Sequence, residues 1–190
     1  MFSELVKATR SYRNFDPMVK ISDEQLKSMV ELCRYTPSTA NKQSIKFAYA
    51  NTEEMCAKIF ETLGWAGYLT DKPPYNGNVP AAYILVCFDN SIAPDIEIDA
   101  GICAQTIVLG AMDMGIGACM LGSFNKEKMS ELFKLDEHIK PRLVIALGRP
   151  KETVEIVDIK DGDVKYYRDG YDKHFVPKRT LDEILLPKAE

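Results

Sequence analysis

The sequence predicts an α+β fold for this chain of 190 residues. Residues 82–88 and 143–147 are apolar runs of strand length, residues 95–114 are apolar over a helical length, and no repeat or linker divides the chain. Helices and strands of these lengths pack as layers around one core. We therefore expect a single domain over residues 1–190, with an extended C-terminal arm from about residue 150.

The first half of the chain carries helix and strand signals in alternation. A short helix is expected over residues 3–9. The sequence Ser-Asp-Glu-Gln that begins at Ser22 fits a capping box, and apolar residues follow at helical spacing until Pro37. Residues 45–50 are typical of a strand, and Thr52 is expected to cap a helix that reaches about residue 63.

The segment from residue 64 to residue 80 is rich in proline, glycine and aromatic residues and predicts irregular structure. Trp65, Tyr68 and Tyr75 either line a substrate pocket or pack into the core. The run at residues 82–88 that follows has no polar face, which indicates a strand covered on both sides.

The longest helix is predicted over residues 95–114, and it is apolar around most of its circumference. Such a helix must be buried on all sides, and in a short chain a second subunit is expected to supply part of the cover. A short strand at 118–121, a helix from Asn125 to Phe133 and the strand at 143–147 follow. The last forty residues show little helix signal before Leu181.

Composition excludes several classes of function. The net charge is −4, and the basic residues form no stripe with aromatic residues, so nucleic-acid binding is not expected. No apolar run is long enough for a membrane span or resembles a signal peptide, which favours the cytoplasm. Five scattered cysteines without a Cys-x-x-Cys spacing are expected to be buried thiols, and a metal site is not predicted.

Two polar stretches in the first quarter of the chain are candidates for ligand binding. Arg10, Ser11 and Arg13 offer guanidinium groups and a hydroxyl that suit a phosphate, although they could also be solvated surface residues. The loop with Ser38, Thr39 and Asn41 offers donors and acceptors for the edge of a heterocycle, or only turn-forming side chains after Pro37.

Two further stretches lie in the second half of the chain. Gly122, at the end of Met120-Leu121-Gly122, would let the backbone approach a flat ligand, or is only a turn residue. Lys178 and Arg179 would add a second basic cluster for a phosphate, unless they are surface charges; Arg149 is a weaker candidate. The chain has no nucleophile-elbow, P-loop or zinc-protease motif, so a bound cofactor is expected to carry the chemistry.

In their order along the chain, these stretches resemble the nitroreductase family of flavoproteins. The resemblance covers nearly the whole chain and rests on residues 10–15, residues 37–43, the helix that contains Gln105, the strand that ends at Pro150, and residues 177–184. It implies a three-layer α+β fold with a central, mostly antiparallel sheet. It also implies an intertwined homodimer with two FMN sites at its interface, the C-terminal arm lying on the partner subunit.

The resemblance also implies a role for each candidate residue. Arg10, Ser11 and Arg13 match the phosphate-binding motif, with Lys178 or Arg179 closing over the phosphate. Ser38, Thr39 and Asn41 match a loop that lies against the flavin, usually that of the other subunit. The backbone of Met120, Leu121 and Gly122 matches the segment facing the ring.

The implied activity is an oxidoreductase that passes electrons from NAD(P)H through FMN to an electron-poor small molecule such as a nitroaromatic or quinone. The reductant leaves before the acceptor binds, in a ping-pong order. Two alternatives stay open: a flavin-binding carrier, sensor or specialised reductase such as a dehalogenase, and a dimeric structural protein without a ligand. The region of residues 64–80 is shorter than the substrate-covering helices of larger family members, so the physiological acceptor does not follow from the resemblance.

Overall fold

The structure is a computed structural model that describes residues 1–189, so the last residue of the predicted arm, Glu190, lies outside the described residues. Its helices are α1 (Phe2–Ala8), α2 (Asp23–Glu31), α3 (Glu53–Phe60), α4 (Glu97–Asp113), α5 (Lys126–Phe133) and α6 (Leu181–Ile184). Its strands are β1 (Phe15–Asp16), β2 (Ile45–Ala50), β3 (Ala82–Asp89), β4 (Gly117–Leu121), β5 (Ile139–Pro150), β6 (Thr153–Asp158), β7 (Tyr167–Asp169) and β8 (Lys173–Lys178).

The first five strands form one sheet in which every pairing is antiparallel. β5 lies in the middle of this sheet, because it pairs with β3, β4 and β1, and β2 lies outside β3. All eight residues of β3 are buried, as expected for a strand covered on both faces.

Helices cover both faces of the central sheet and give the molecule three layers. On one face, α2 and α4 pack on alternate residues of β3 and β5, among them Ile84, Val86 and Ile145. On the other face, α3 and α5 pack on the intervening residues, such as Leu85 and Val144. The α+β class and the mostly antiparallel sheet predicted from the sequence are confirmed.

Local sequence signals account for the ends of several helices. The Ser22 hydroxyl accepts a hydrogen bond from the Gln25 backbone N–H, and the Gln25 side chain accepts one from the Ser22 N–H, which completes the predicted capping box. Thr52 and Asn125 cap α3 and α5 with a single bond each, because their side chains accept from the backbone N–H groups of Met55 and Lys128. The chain after α2 continues as a 3₁₀ turn at Leu32–Tyr35 before it reaches Pro37.

The tail differs in part from the sequence prediction. Beyond residue 150 it is not simply extended, because β6, β8 and β7 form a second sheet in that order, with β6 parallel and β7 antiparallel to β8. The region from residue 64 to residue 80 is irregular, as predicted. Trp65 and Tyr75 are buried there, whereas the Tyr68 side chain is 55% exposed. Within residues 1–189, no helix combines the length and the apolar character that crossing a membrane requires.

Candidate functional site

Five of the predicted binding residues line one cavity of about 350 Å³, which we call the arginine cavity. These residues are Arg10, Ser11, Arg13, Met120 and Lys178. They come from the loop after α1, from β4 and from the end of β8, which are far apart in the sequence. The rest of the wall includes Gln105 and Val108 of α4, Tyr166 and Val176.

The loop after α1 is held in place by its backbone. Ser11 forms an isolated parallel bridge with Ala118 of β4, and the Tyr12 N–H donates to the Ala118 carbonyl oxygen at 2.9 Å. On the other side, a carboxylate oxygen of Glu152 accepts hydrogen bonds from the backbone N–H groups of Arg13 and Asn14. These contacts fix the backbone from which both arginine side chains extend, so that the cations are positioned before any ligand binds.

The two guanidinium groups are only partly occupied by contacts within the chain. The Arg13 guanidinium lies 4.8 Å from the centre of the Tyr166 ring and donates to the Ser11 carbonyl oxygen at 3.2 Å. Its Nε is buried and has no hydrogen-bond partner among the described residues. Arg10 donates through Nε to the Thr9 carbonyl oxygen at 2.6 Å. Further donors of both arginines remain for an anion.

A buried polar cluster lies behind Arg13. Glu152 forms an ion pair of 2.5 Å with Arg168, and both side chains are almost fully buried. His174 is fully buried beside them, with its Nδ1 at 3.4 Å from Arg168 Nη1 and its ring packed on Tyr166. Burial, and then the positive charges of Arg13 and Arg168, lower the pKa of His174 to about 4. His174 is therefore neutral at physiological pH.

The two basic residues at the end of β8 lie in different surroundings. Lys178 lines the arginine cavity and has no hydrogen-bond or ion-pair partner among residues 1–189. Arg179 is not part of that wall and contacts Glu183 at 3.2 Å, within the capping box that begins α6. Arg149 is exposed and also lies outside the wall of the cavity. Of the three, only Lys178 is positioned to contact a ligand in this cavity.

The stretch Met120-Leu121-Gly122 presents three different environments. Met120 reaches the arginine cavity, but the next side chain in β4 points to the opposite face of the sheet, and Leu121 is accordingly buried in the core beneath α3 and α5. Leu121 can therefore contribute only its backbone to a ligand site. Gly122 is exposed, and a Cβ built on it meets no atom within 4 Å, so its surroundings leave room for a ligand.

The loop with Ser38, Thr39 and Asn41 does not reach the arginine cavity of its own chain. Ser38 and Asn41 line a second cavity of about 280 Å³, together with Cys33, Cys103 and other residues, which we call the thiol cavity. Thr39 is tied to α4, because its N–H donates to Asp99 at 3.0 Å and its hydroxyl donates to the same carboxylate at 2.8 Å. The Thr39 donors are thus already used within the chain.

This loop also contains an unusual run of backbone conformations. Ala40, Asn41 and Gln43 have φ values of 49°, 53° and 53°, in the left-handed region that residues other than glycine seldom adopt. Such conformations persist only where the surrounding structure enforces them, and they concentrate at functional sites. The anchor of Thr39 on Asp99 is one contact that enforces them here.

Sequence reasoning missed two residues of the arginine cavity region. Tyr166 forms a wall and carries the Arg13 guanidinium on its ring, and Glu152 binds the backbone at Arg13 and Asn14. Both residues come from the tail, about 140 to 150 residues away from the loop that they support. A lone tyrosine or glutamate in a charged segment gives no local signal of such a role.

Comparisons with known proteins agree with this architecture. A family model described as the nitroreductase family matches residues 6–149. A Methanothermobacter thermautotrophicus protein with the provisional name NADH dehydrogenase/NAD(P)H nitroreductase is 29% identical over 167 residues, which cover 84% of this chain and 83% of that protein. The NADPH-flavin oxidoreductase of Vibrio harveyi is 24% identical over 170 residues, covering 80% and 67% of the two chains.

A solved structure extends the similarity over the full length of the chain. The nitroreductase family protein of Streptococcus pneumoniae superposes with a TM-score of 0.69 at 18% identity, and the match covers 99% of this chain and 100% of that one. At this identity the likeness concerns the fold alone. The family model spans more than half of the sequence, and the chain therefore belongs to the nitroreductase family.

Proposed function

We propose that this protein is an FMN-dependent oxidoreductase that passes electrons from NAD(P)H to an electron-poor small molecule such as a nitroaromatic or a quinone. The observation that carries the proposal is the arginine cavity, where two segments that are far apart in the sequence bring three cationic side chains to one place. The names of the Methanothermobacter thermautotrophicus and Vibrio harveyi relatives, which refer to NAD(P)H and to flavin, support it.

The donor set of the arginine cavity fits the phosphate of FMN. Arg10, Arg13 and Lys178 supply positive charge and Ser11 supplies a hydroxyl, and all four residues line the cavity. The buried, unpartnered Nε of Arg13 is a donor whose desolvation is offset only when an acceptor reaches it. Glu152, the acidic residue next to this loop, is already paired with Arg168, so its charge opposes the binding of an anion only weakly.

The ring end of the cofactor is assigned to two segments. In the same subunit, the backbone at Met120, Leu121 and Gly122 would lie along the ring. The partner subunit would contribute its own loop with Ser38, Thr39 and Asn41, because this loop does not reach the arginine cavity of its own chain. Of its side chains, the Asn41 amide makes no hydrogen bond within residues 1–189 and is the one best placed to meet a heterocycle.

The homodimer that this assignment requires is supported by α4. Its outward positions include the apolar Ile98, which is 72% exposed, and Gly101, which has no side chain, beside the polar Gln105. An antiparallel twofold contact through this face would bring the Asp99 end of one helix, with its Thr39 loop, toward Gln105 and Val108 in the cavity wall of the other. Both candidate regions would then meet at the interface.

The C-terminal arm, residues 150–190, is proposed to lie on the partner subunit. The apolar side chains at its end are largely exposed within one chain: Leu181, Ile184 and Leu185 are each about two-thirds exposed, and Leu186 is 84% exposed. A contiguous group of exposed apolar side chains usually marks an interaction surface. Here a second copy of this chain is the occupant that the family resemblance implies.

The residues of the site bind and orient, and the cofactor carries out the redox step. When bound, FMN would supply hydride-transfer chemistry between NAD(P)H and the acceptor, and the two substrates would use the site in turn. Arg10, Arg13 and Lys178 hold the anionic end, while the partner's loop and the β4 segment fix the plane of the ring.

Titration with FMN, followed by anaerobic addition of NADH or NADPH, tests the proposal. We expect the wild-type protein to bind FMN and its visible absorbance to bleach with one of the two nucleotides. Replacing Arg10 by Ala should weaken FMN binding about 10- to 100-fold, since hydrogen bonds to charged groups are worth about 1.5–3 kcal/mol. Arg149→Ala, at an exposed arginine outside the cavity, is the matched control.

Two outcomes would contradict the proposal. Failure of the wild-type protein to bind FMN would exclude the cofactor. Equal losses of FMN affinity in Arg10→Ala and Arg149→Ala would exclude the assigned phosphate site. A protein that binds FMN but is inert to both nucleotides would instead be a flavin carrier or sensor with the same fold.

A further inference from the structure

Two of the five cysteines form a pair in the thiol cavity. Cys33 lies in the 3₁₀ turn after α2, and Cys103 lies in α4, 70 residues further along the chain. The Cys33 thiol lies 3.6 Å from the Cys103 carbonyl oxygen, and the Thr36 hydroxyl lies 3.7 Å from the Cys103 sulfur. Both thiols line the cavity, so a small molecule that enters it can reach them.

The remaining thiols have different surroundings. The thiol of Cys56 donates to backbone carbonyl groups, and burial raises the pKa of Cys56 to about 11. Burial likewise raises the pKa of Cys87 to about 12 and raises the pKa of Cys119. Thiols of this kind carry little thiolate at neutral pH and react slowly.

The interaction within the pair separates the two thiols by acidity. Hydrogen bonding with the Cys33 side chain lowers the pKa of Cys103, although burial and the Asp99 carboxylate oppose this shift. The same hydrogen bond raises the pKa of Cys33. Cys103 is thus the nucleophilic member, and Cys33 is the neighbour positioned to resolve an oxidised sulfur.

We propose that Cys33 and Cys103 form a dithiol site that a peroxide oxidises to a reversible intrachain disulfide. The Cys103 thiolate attacks one peroxide oxygen and the O–O bond breaks, which oxidises the sulfur to a sulfenic acid; the departing hydroxide takes up the proton that the Cys103 thiol released and leaves as water. The Cys33 sulfur then attacks this sulfur; the S–S bond forms, the S–O bond breaks, and a second water leaves. In sum, two thiols and one hydrogen peroxide give one disulfide and two waters.

The position of the pair gives the disulfide a structural consequence. It would join the turn that precedes Pro37 to α4. The loop with Thr39 follows this turn, and Asp99, which binds Thr39, lies in α4. Thiol–disulfide exchange with a small dithiol reverses the bond. The oxidation requires neither FMN nor NAD(P)H, so it stands or fails independently of the proposed function.

Peptide mapping of the wild-type protein tests the proposal directly. The full chain is reduced, freed of reductant, treated with equimolar hydrogen peroxide, alkylated under denaturing conditions and digested without reduction. Trypsin releases Cys33 in residues 28–34, and cleavage after Asp99 and Asp113 isolates Cys103 in residues 100–113. We expect a linked pair of these two peptides, and a fall in titratable thiols from five to three, because one disulfide consumes two thiols.

Three variants locate the chemistry within the pair. Cys33→Ser should leave a sulfenic acid on Cys103 that dimedone labels, and Cys103→Ser should abolish both the disulfide and the label. Cys56→Ser is the matched control, because Cys56 lines another cavity without a neighbouring thiol, and it should form the disulfide as the wild type does. Circular dichroism verifies that each variant is folded.

The proposal is overturned if the treated wild-type protein yields no link between the two peptides. It is also overturned if Cys56 or Cys119 is oxidised as readily as Cys103. Since the peptide map needs no substitution, a variant that fails to fold leaves the test intact.

Discussion

Arg13 shows how single contacts prepare the arginine cavity. Its backbone N–H is held by Glu152, its guanidinium lies over Tyr166, and its Nε is buried without a partner among the described residues. Holding a long cation in one rotamer costs conformational entropy, which the packing on Tyr166 offsets before a ligand arrives. The residue is thereby preorganised for an anion, and its replacement would affect both stability and binding.

Lys178 and Arg179 offer a sharper comparison, because the two cations are adjacent in the chain but have different partners. Lys178→Ala removes a charge that lines the arginine cavity, whereas Arg179→Ala removes one that contacts Glu183. We expect the first variant to weaken FMN binding about tenfold or more and the second to leave it within about twofold. Fluorescence titration of FMN measures both dissociation constants.

The same titration at two salt concentrations serves as a control, since screening weakens a contact between exposed charges. The difference in FMN affinity between the wild type and Lys178→Ala should be smaller at high salt. A larger loss of affinity in Arg179→Ala than in Lys178→Ala would reverse the assignment of the phosphate contact.

His174 gives the unfolding free energy a predictable dependence on pH. The pKa of this buried histidine is about 4 in the folded protein, against an ordinary value of about 6.5 when the chain is unfolded. Between these two values the unfolded state binds the additional proton, so acidification from pH 6.5 to pH 4 favours unfolding, and raising the pH restores stability. Over this range the unfolding free energy falls by about 2 to 3 kcal/mol.

Urea unfolding at several pH values checks this prediction. Carboxylates also titrate in the same range, so the informative quantity is the difference between the wild type and His174→Gln, which lacks the titrating ring. If the unfolding free energies of the wild type and His174→Gln depended on pH in the same way, the prediction would be wrong.

At the scale of elements, Gly148 allows β1 to pack closely on the central sheet. A Cβ built on Gly148 would lie 2.7 to 2.9 Å from three carbon atoms of Phe15, which is fully buried in β1. Because β1 follows directly on the loop with Arg10 and Arg13, this contact also sets where that loop begins. Only a residue without a side chain fits between the two strands.

Gly148→Ala should therefore destabilise the protein by about 1–3 kcal/mol, as expected for overpacking a rigid core. Urea unfolding measures the difference. Gly67→Ala is the control, because a Cβ at this exposed glycine meets no atom within 4 Å, and its effect should be small. A Gly148→Ala protein as stable as the control would mean that Phe15 moves aside without cost.

Elements with local signals could be predicted from the sequence. The capping box at Ser22 and the apolar run at residues 82–88 each carry their information within a few residues, and both elements appear at the expected place. β1 and the strands of the tail could not be predicted in this way. β1 has two residues and exists through its pairing with Arg149 and Pro150, more than 130 positions away.

The candidate site likewise has a part that local sequence predicts and a part that depends on distant contacts. The charged triplet at Arg10, Ser11 and Arg13 is visible in the sequence because its residue types suit an anion. Its support by Glu152 and Tyr166 is not visible, since it depends on how β6 and the tail fold back on the loop. Likewise, neither sequence separation nor composition indicates that Cys33 and Cys103 share a cavity.

At the scale of the whole molecule, α4 connects the fold to the proposed assembly. One face of this helix packs in the core, Gln105 and Val108 reach the arginine cavity, and the N-terminal Asp99 holds the loop with Thr39. The outward face is apolar or small at Ile98, Gly101 and Ile102. A partner that covers this face would complete the proposed FMN sites of both subunits. Dimerisation and cofactor binding would then depend on each other.

Gly101→Gln tests this interdependence. A Cβ at Gly101 meets no atom within 4 Å in one chain, and glutamine favours a helix more than glycine does, so the folded monomer should be retained or stabilised. A close twofold contact, in contrast, has no room for the new side chain. Light scattering coupled to size exclusion should give twice the monomer mass for the wild type and a lower mass for the variant, together with weakened FMN binding. The control is Gly67→Gln, at an exposed glycine outside α4, which should remain dimeric and bind FMN. A Gly101→Gln protein that is dimeric and binds FMN with normal affinity would exclude this face of α4 as the interface.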